Sequence, residues 1–186
     1  VLDDEETTAR FAEVCNLLAT ASVPPQIVPA IGLGHMVALQ KPQGGVRGLV
    51  VGDLLRRVVS RALAQTFSTH FHTACSPFQF ALSTRAGTEA VVHSLSAITE
   101  LHPTRTILSI DGIGAYDNIS RASMLNGLAA VPEAHGCLPF AQMWYARPSE
   151  YVWHDDSGQP HVVTQAEGGE QGDPLMPADN TQPWKQ

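Results

Sequence analysis

Between Leu54 and Phe67 the apolar residues Leu54, Leu55, Val58, Val59, Ala62, Leu63 and Phe67 recur at the spacing of one helical face. A stretch patterned this way is an amphipathic helix that must bury its stripe against another element, with Arg56, Arg57 and Arg61 expected on its other faces. Further helices are expected along the chain. Asp3 or Asp4 can cap a first one running through about Ala19, with Phe11, Val14, Leu17 and Leu18 on one face, and Pro24, Pro25 and Pro29 end it. Another is expected from about Thr88 to Leu101, with a stripe of Ala90, Val91, Leu95 and Ile98 and Pro103 closing it. Ser120 can cap a helix through Leu128, and residues 138–146 are read as helical too.

Short β-branched runs supply the partner surface. Met36 to Gln40 reads as a strand, followed by a turn over Lys41-Pro42-Gln43-Gly44-Gly45, in which the glycines can take positive φ. Thr106 to Ile110 suits a buried strand with Asp111 at its C-terminal end. Residues 151–154 and 161–164 read as a hairpin turning through Asp155-Asp156-Ser157-Gly158. The fold class expected from these elements is α+β, with helices packed on a small, mainly antiparallel sheet.

Composition narrows the functions. Apolar residues make up 44% of the 186 and charged residues 16%, the balance of an ordinary globular protein. No apolar run approaches the roughly 20 residues of a membrane span, and the start, Val1 followed by acidic residues, is unlike a secretory signal. Cys15, Cys75 and Cys137 are odd in number and far apart, which argues against a disulfide framework and fits a reducing compartment. The chain is therefore expected to be intracellular, nuclear or cytoplasmic, and its lack of an initiator Met suggests a fragment. A net charge of −7 argues against strong autonomous binding of nucleic acid, although Lys41, Arg47, Arg56, Arg57 and Arg61 cluster closely enough for a local basic patch.

Three blocks in fixed order carry a more specific signal. The first is Lys41-Pro42-Gln43-Gly44-Gly45-Val46-Arg47, with the arginine-bearing helix after it. The second is Ser109-Ile110-Asp111-Gly112-Ile113-Gly114-Ala115-Tyr116-Asp117. The third is Gly168-Gly169-Glu170-Gln171-Gly172-Asp173-Pro174-Leu175-Met176-Pro177. In order and spacing they resemble the fingers motifs, motif A and motif B of reverse transcriptases. Between the first two, Ser76-Pro77-Phe78-Gln79-Phe80 with Gly87-Thr88-Glu89 is similar to landmarks of the non-LTR retrotransposon and group II intron lineages. The resemblance covers residues 36–177, preceded by an N-terminal helix and linker over 1–35 and followed by a tail, 178–186, expected to be disordered.

The resemblance implies the fingers and partial palm of a right-hand polymerase and Mg²⁺-dependent RNA-directed DNA synthesis, with an RNA template, a DNA primer and a dNTP as partners. Two-metal nucleotidyl transfer needs carboxylates to hold the ions. Asp111 is the catalytic carboxylate it implies, with the carbonyl of Gly112 a further metal ligand. Lys41 and Arg47 would reach the triphosphate, one as a point charge and one as a planar donor fork. Tyr116 would lie under the sugar and exclude a 2′-hydroxyl, and Gln171 and Gly172 would contact nucleotide and template.

Trp153-His154-Asp155-Asp156 imitates the family's paired-aspartate hairpin but precedes the Gln171-Gly172 block instead of following it, so Asp155 and Asp156 are read as turn residues. His70, His72 and Cys75 lack the second ligand pair of a structural zinc site. The paired aspartates should follow Gln171-Gly172, and with Asp111 alone the chain is expected to be inactive by itself. The alternative is a non-catalytic retroelement remnant or a nucleic-acid or protein-binding domain. Unpaired palm edges and marginal stability are expected as well.

Overall fold

The computed structural model describes residues 4–80, 84–112 and 114–176. In chain order the helices and strands are α1 (Glu5–Ala19), α2 (Val28–Gly32), β1 (Gly34–Gln40), β2 (Val46–Val51), α3 (Leu54–Thr66), α4 (Ser68–Cys75), α5 (Gly87–Leu101), α6 (Ala115–Asn118), α7 (Arg121–Ala129), α8 (Leu138–Tyr145), β3 (Ser149–His154) and β4 (Pro160–Gln165). A 3₁₀ segment, Pro132–Cys137, joins α7 to α8. The class is α+β.

Helix starts follow local chemistry. Asp4 accepts from the Glu6 amide at 3.1 Å, Asp53 from the Leu55 amide at 2.8 Å, and the Ser120 hydroxyl from the Ser123 amide at 3.3 Å. Each side chain satisfies an amide that has no partner within its own helix.

The four strands form one mixed sheet in the order β2-β1-β3-β4. β1 pairs antiparallel with β2, Val37 opposite Leu49 and Leu39 opposite Arg47; β3 pairs antiparallel with β4; and β1 meets β3 in parallel at Gly34–Tyr151 and His35–Val152. Gly44 and Gly45, both near φ +90°, make the β1–β2 turn, closed by the Gly44 amide on Lys41 O and the Lys41 amide on Gly45 O, each at 3.0 Å.

The core is helical and lies beside the sheet. Leu18 of α1, Val28 of α2, Val59 of α3, Phe71 of α4, Met124 and Leu128 of α7, Phe140, Trp144 and Tyr145 of α8, and Leu175 and Met176 are all buried in one cluster. Burying side chains of this size contributes about 1.5–3 kcal/mol each.

Three expectations are corrected. Thr106 to Ile110 is not a strand: it runs as coil, with Ile107, Leu108 and Ile110 exposed, because among the described residues no strand pairs with it. Val46–Val51, to which the sequence reading assigns no element, is the second strand of the sheet. The buried face of α3 is turned from the apolar stripe: Arg56, Val59 and Ser60 are buried, while Leu54 and Val58 are exposed. The α5 stripe is covered only in part: Ala90 and Val91 are half-buried, Leu95 and Ile98 are exposed, and no residue of that helix is buried. Residues 178–186 lie outside the described residues. Among the described residues, no helix is long and apolar enough to cross a membrane.

Candidate functional site: a buried arginine cluster under the 168–176 loop

The loop 168–176 is fastened at both ends to segments far away in sequence. At its start, the Gly168 amide donates to Ile119 O at 2.8 Å and the Gly169 amide to Tyr116 O at 2.7 Å, which ties it to α6. Gly168 has φ +73°, and a Cβ there would collide with the backbone carbonyls of Tyr116 and Asp117. Farther along, a Cβ on Gly172 would stand 2.8 Å from Val50 O, so the loop backbone lies directly on β2.

Beneath it sits a group of charged and polar side chains. Arg56 is 2% exposed, Glu170 3% and Asp173 5%. Arg56 Nη1 donates to Glu170 Oε1 at 2.7 Å, and Nη2 donates to Tyr145 Oη at 3.2 Å and Asp173 Oδ2 at 3.5 Å. Tyr145 Oη in turn donates to Asp173 Oδ2 at 2.5 Å, and Ser60 Oγ donates to Asp173 Oδ1. The Leu175 amide is received by Asp173 Oδ1 at 2.9 Å and Ser60 Oγ at 3.1 Å. A second buried arginine, Arg121, donates from Nε to Gly168 O at 2.7 Å, from Nη1 to Arg147 O at 2.5 Å and from Nη2 to Ser149 Oγ at 3.0 Å. Both guanidinium groups lie over the Tyr145 ring, 5.5 and 5.3 Å from its centre. Buried charges persist only when paired or hydrogen-bonded: Arg56 is paired with Glu170 and Asp173, and Arg121 is held by three acceptor oxygens.

Burial lifts the Glu170 carboxyl above its ordinary value of 4.5, and the Arg56 guanidinium offsets only part of that rise. For Arg56, burial by itself would favour proton loss, but its partners Tyr145, Glu170 and Asp173 outweigh it and keep the guanidinium charged. Burial, then the Asp173 carboxylate, pushes the Tyr145 hydroxyl well up, so it stays a neutral donor. Between pH 4.5 and the raised value, the folded chain holds more of the Glu170 proton than the unfolded chain does. The stability contribution of Glu170 is therefore greatest in acid and declines as pH rises through that window. Urea unfolding of the wild type and Glu170→Gln from about pH 4 to about pH 7 checks the sign: the wild type should lose ground to the variant as pH rises, and a gain would contradict it.

The residues marked in the sequence fall into two sets. Lys41 and Arg47 flank the exposed end of the β1–β2 hairpin. Tyr116 is half-buried against the core, and its carbonyl holds Gly169, while Gln171 and Gly172 lie exposed on the loop that rests on β2. These segments are brought together. Asp111 and Gly112 are exposed in coil, and among the described residues no hydrogen bond joins them to the loop. No group of three or more His, Cys, Asp or Glu side chains converges to hold a metal ion among the described residues. One carboxylate and one carbonyl do not make up a two-Mg²⁺ centre.

Arg56, Ser60, Tyr145, Glu170 and Asp173 are not among the expected site residues. Their signal in the sequence is the i, i+4 spacing of Arg56 and Ser60 on a helix, together with two acids in a glycine-rich loop; only contact across the fold joins them. A scan of the chain against protein-family models finds no match, and a search of curated proteins finds none either.

Proposed function

We propose that this chain is the fingers and partial palm of an RNA-directed DNA polymerase of the non-LTR retrotransposon or group II intron type, and that it supplies the surface that receives the incoming deoxynucleotide. The observation that carries this reading is the convergence of blocks far apart in sequence: the loop with Gln171 and Gly172 packs on β2, which bears Arg47, and is bonded to the Tyr116 segment. In the reaction a primer 3′-hydroxyl attacks the α-phosphate of a dNTP and pyrophosphate leaves. Mg²⁺ would neutralise charge at the phosphates, and Asp111 with the carbonyl of Gly112 would hold only part of its coordination. Lys41 and Arg47 hold the triphosphate through charge-assisted hydrogen bonds, and their exposure at the hairpin end leaves them open to it. The Tyr116 ring takes the sugar and excludes a 2′-hydroxyl.

With Asp111 the one expected carboxylate among the described residues, the chain binds but does not extend a primer by itself. The test is a titration of a labelled DNA primer annealed to an RNA template, with and without the complementary dNTP and Mg²⁺. Saturable binding that the dNTP strengthens is expected. Lys41→Ala with Arg47→Ala should weaken the dNTP effect at least about tenfold, since a hydrogen bond to a charged group is worth about 1.5–3 kcal/mol. Unchanged dNTP dependence in that double variant would sink the nucleotide-binding reading. Primer extension that is lost on Asp111→Ala would sink the inactivity.

One feature favours the second reading, a non-catalytic binding domain. Leu101 is 75% exposed and Ile110 84%, and apolar surface of this kind on α5 and the 106–110 stretch suits a protein partner. If primed template fails to bind, this reading takes precedence.

A further inference from the structure

We propose that Arg56, acting with Tyr145, is the positioning residue of the nucleotide-receiving face: it locks the 168–176 loop to the base of the β1–β2 hairpin and so sets Gln171 and Gly172 in register with Lys41 and Arg47. The inference rests on the polymerase reading for its ligand, but the lock itself is a matter of geometry.

Arg56 lies in the first turn of α3, immediately after β2, so whatever holds its guanidinium also holds the end of the hairpin. Its two anionic partners, Glu170 and Asp173, stand on either side of Gln171-Gly172, so one planar fork grips the turn before and after the residues that face outward. Glu170 also reaches the strand end, where a Cβ on Gly52 would sit 3.4 Å from its Oε2. Tyr145 completes the grip from α8: its hydroxyl accepts from Arg56 and donates to Asp173. Asp173 passes the constraint on to the loop backbone through the Leu175 amide. Each member of the chain is hydrogen-bonded to the next, and none is open to solvent, so the loop cannot shift along β2 without uncoupling a buried charge.

Tyr145→Phe is the discriminating variant, because it keeps the ring over which both arginines lie and deletes only the hydroxyl. Amide hydrogen exchange and primed-template binding are measured together on the full chain. The lock requires exchange at Leu175 and Asp173 to quicken about tenfold or more while the α7 amides keep their wild-type protection, and the dNTP effect on binding to fall by a similar factor. Arg56→Lys, which keeps the charge but not the fork, should reproduce both changes. A uniform rise in exchange across α7, α8 and the loop, or no change at the loop, would overturn the lock and leave Tyr145 an ordinary core residue. Failure of the wild type to bind primed template would sink the polymerase reading instead, and the exchange pattern would still decide the lock.

Discussion

Arg56→Ala is expected to cost about 3–5 kcal/mol of folding stability, the loss typical of breaking a buried ion pair by removing one partner. The reason is what it leaves behind. Glu170 loses its 2.7 Å partner, Asp173 keeps only hydroxyl and amide donors, and both carboxyls remain out of reach of water. Against the 5–15 kcal/mol that holds an ordinary domain together, such a loss leaves a large unfolded population or none folded at all. Urea unfolding near neutral pH measures it. The neutral triple variant, Arg56→Met with Glu170→Gln and Asp173→Asn, should recover most of the loss, because neither carboxylate is then left buried without its guanidinium partner. A single-variant loss below about 1 kcal/mol would mean that the carboxyls find solvent by a small movement of the loop.

Gly168→Ala is the second large effect. The residue sits at φ +73°, a conformation that costs a side-chain-bearing residue about 1–3 kcal/mol, and its Cβ would run into two backbone carbonyls of α6 that cannot turn aside as a side chain could. Overpacking of that kind adds about 1–3 kcal/mol more, so a total of about 4 kcal/mol is expected. The likeness to a core mutation ends there, since the damage is local. The Gly168 and Gly169 amides should lose their bonds to Ile119 and Tyr116, and exchange at both should rise well before that of Leu128 in the core. Gly44→Ala is the control: it has φ +89° but nothing within 4 Å, so it should show only the conformational part of the cost.

These two sites show how far the sequence could be read. The positions of α1, α3, α5, α7 and α8, the first strand and the β3–β4 hairpin were all legible, because capping residues, proline stops and 3.6- or two-residue periodicities act over a few neighbours. Where the local signal ran against the tertiary environment, the environment prevailed. Thr106 to Ile110 has strand chemistry, but a strand needs a ladder, and among the described residues none is offered. The α3 stripe pointed its leucines inward, but the ion pair with Glu170 and Asp173 draws Arg56 into the interior and turns Leu54 out to solvent.

Local patterns were enough for the α+β class, most of the helices, and the order of the blocks in which Lys41, Arg47, Asp111, Gly112, Tyr116, Gln171 and Gly172 stand. It takes long-range packing to make Val46–Val51 a strand of a mixed sheet, to lay the glycine-rich loop against it, and to join Arg56, Tyr145, Glu170 and Asp173 in one buried unit. The difference is one of range. Helix propensity, capping and turn chemistry are settled within a few residues, whereas the partner of a buried charge lies 114 positions away and becomes a partner only when folding removes both from water.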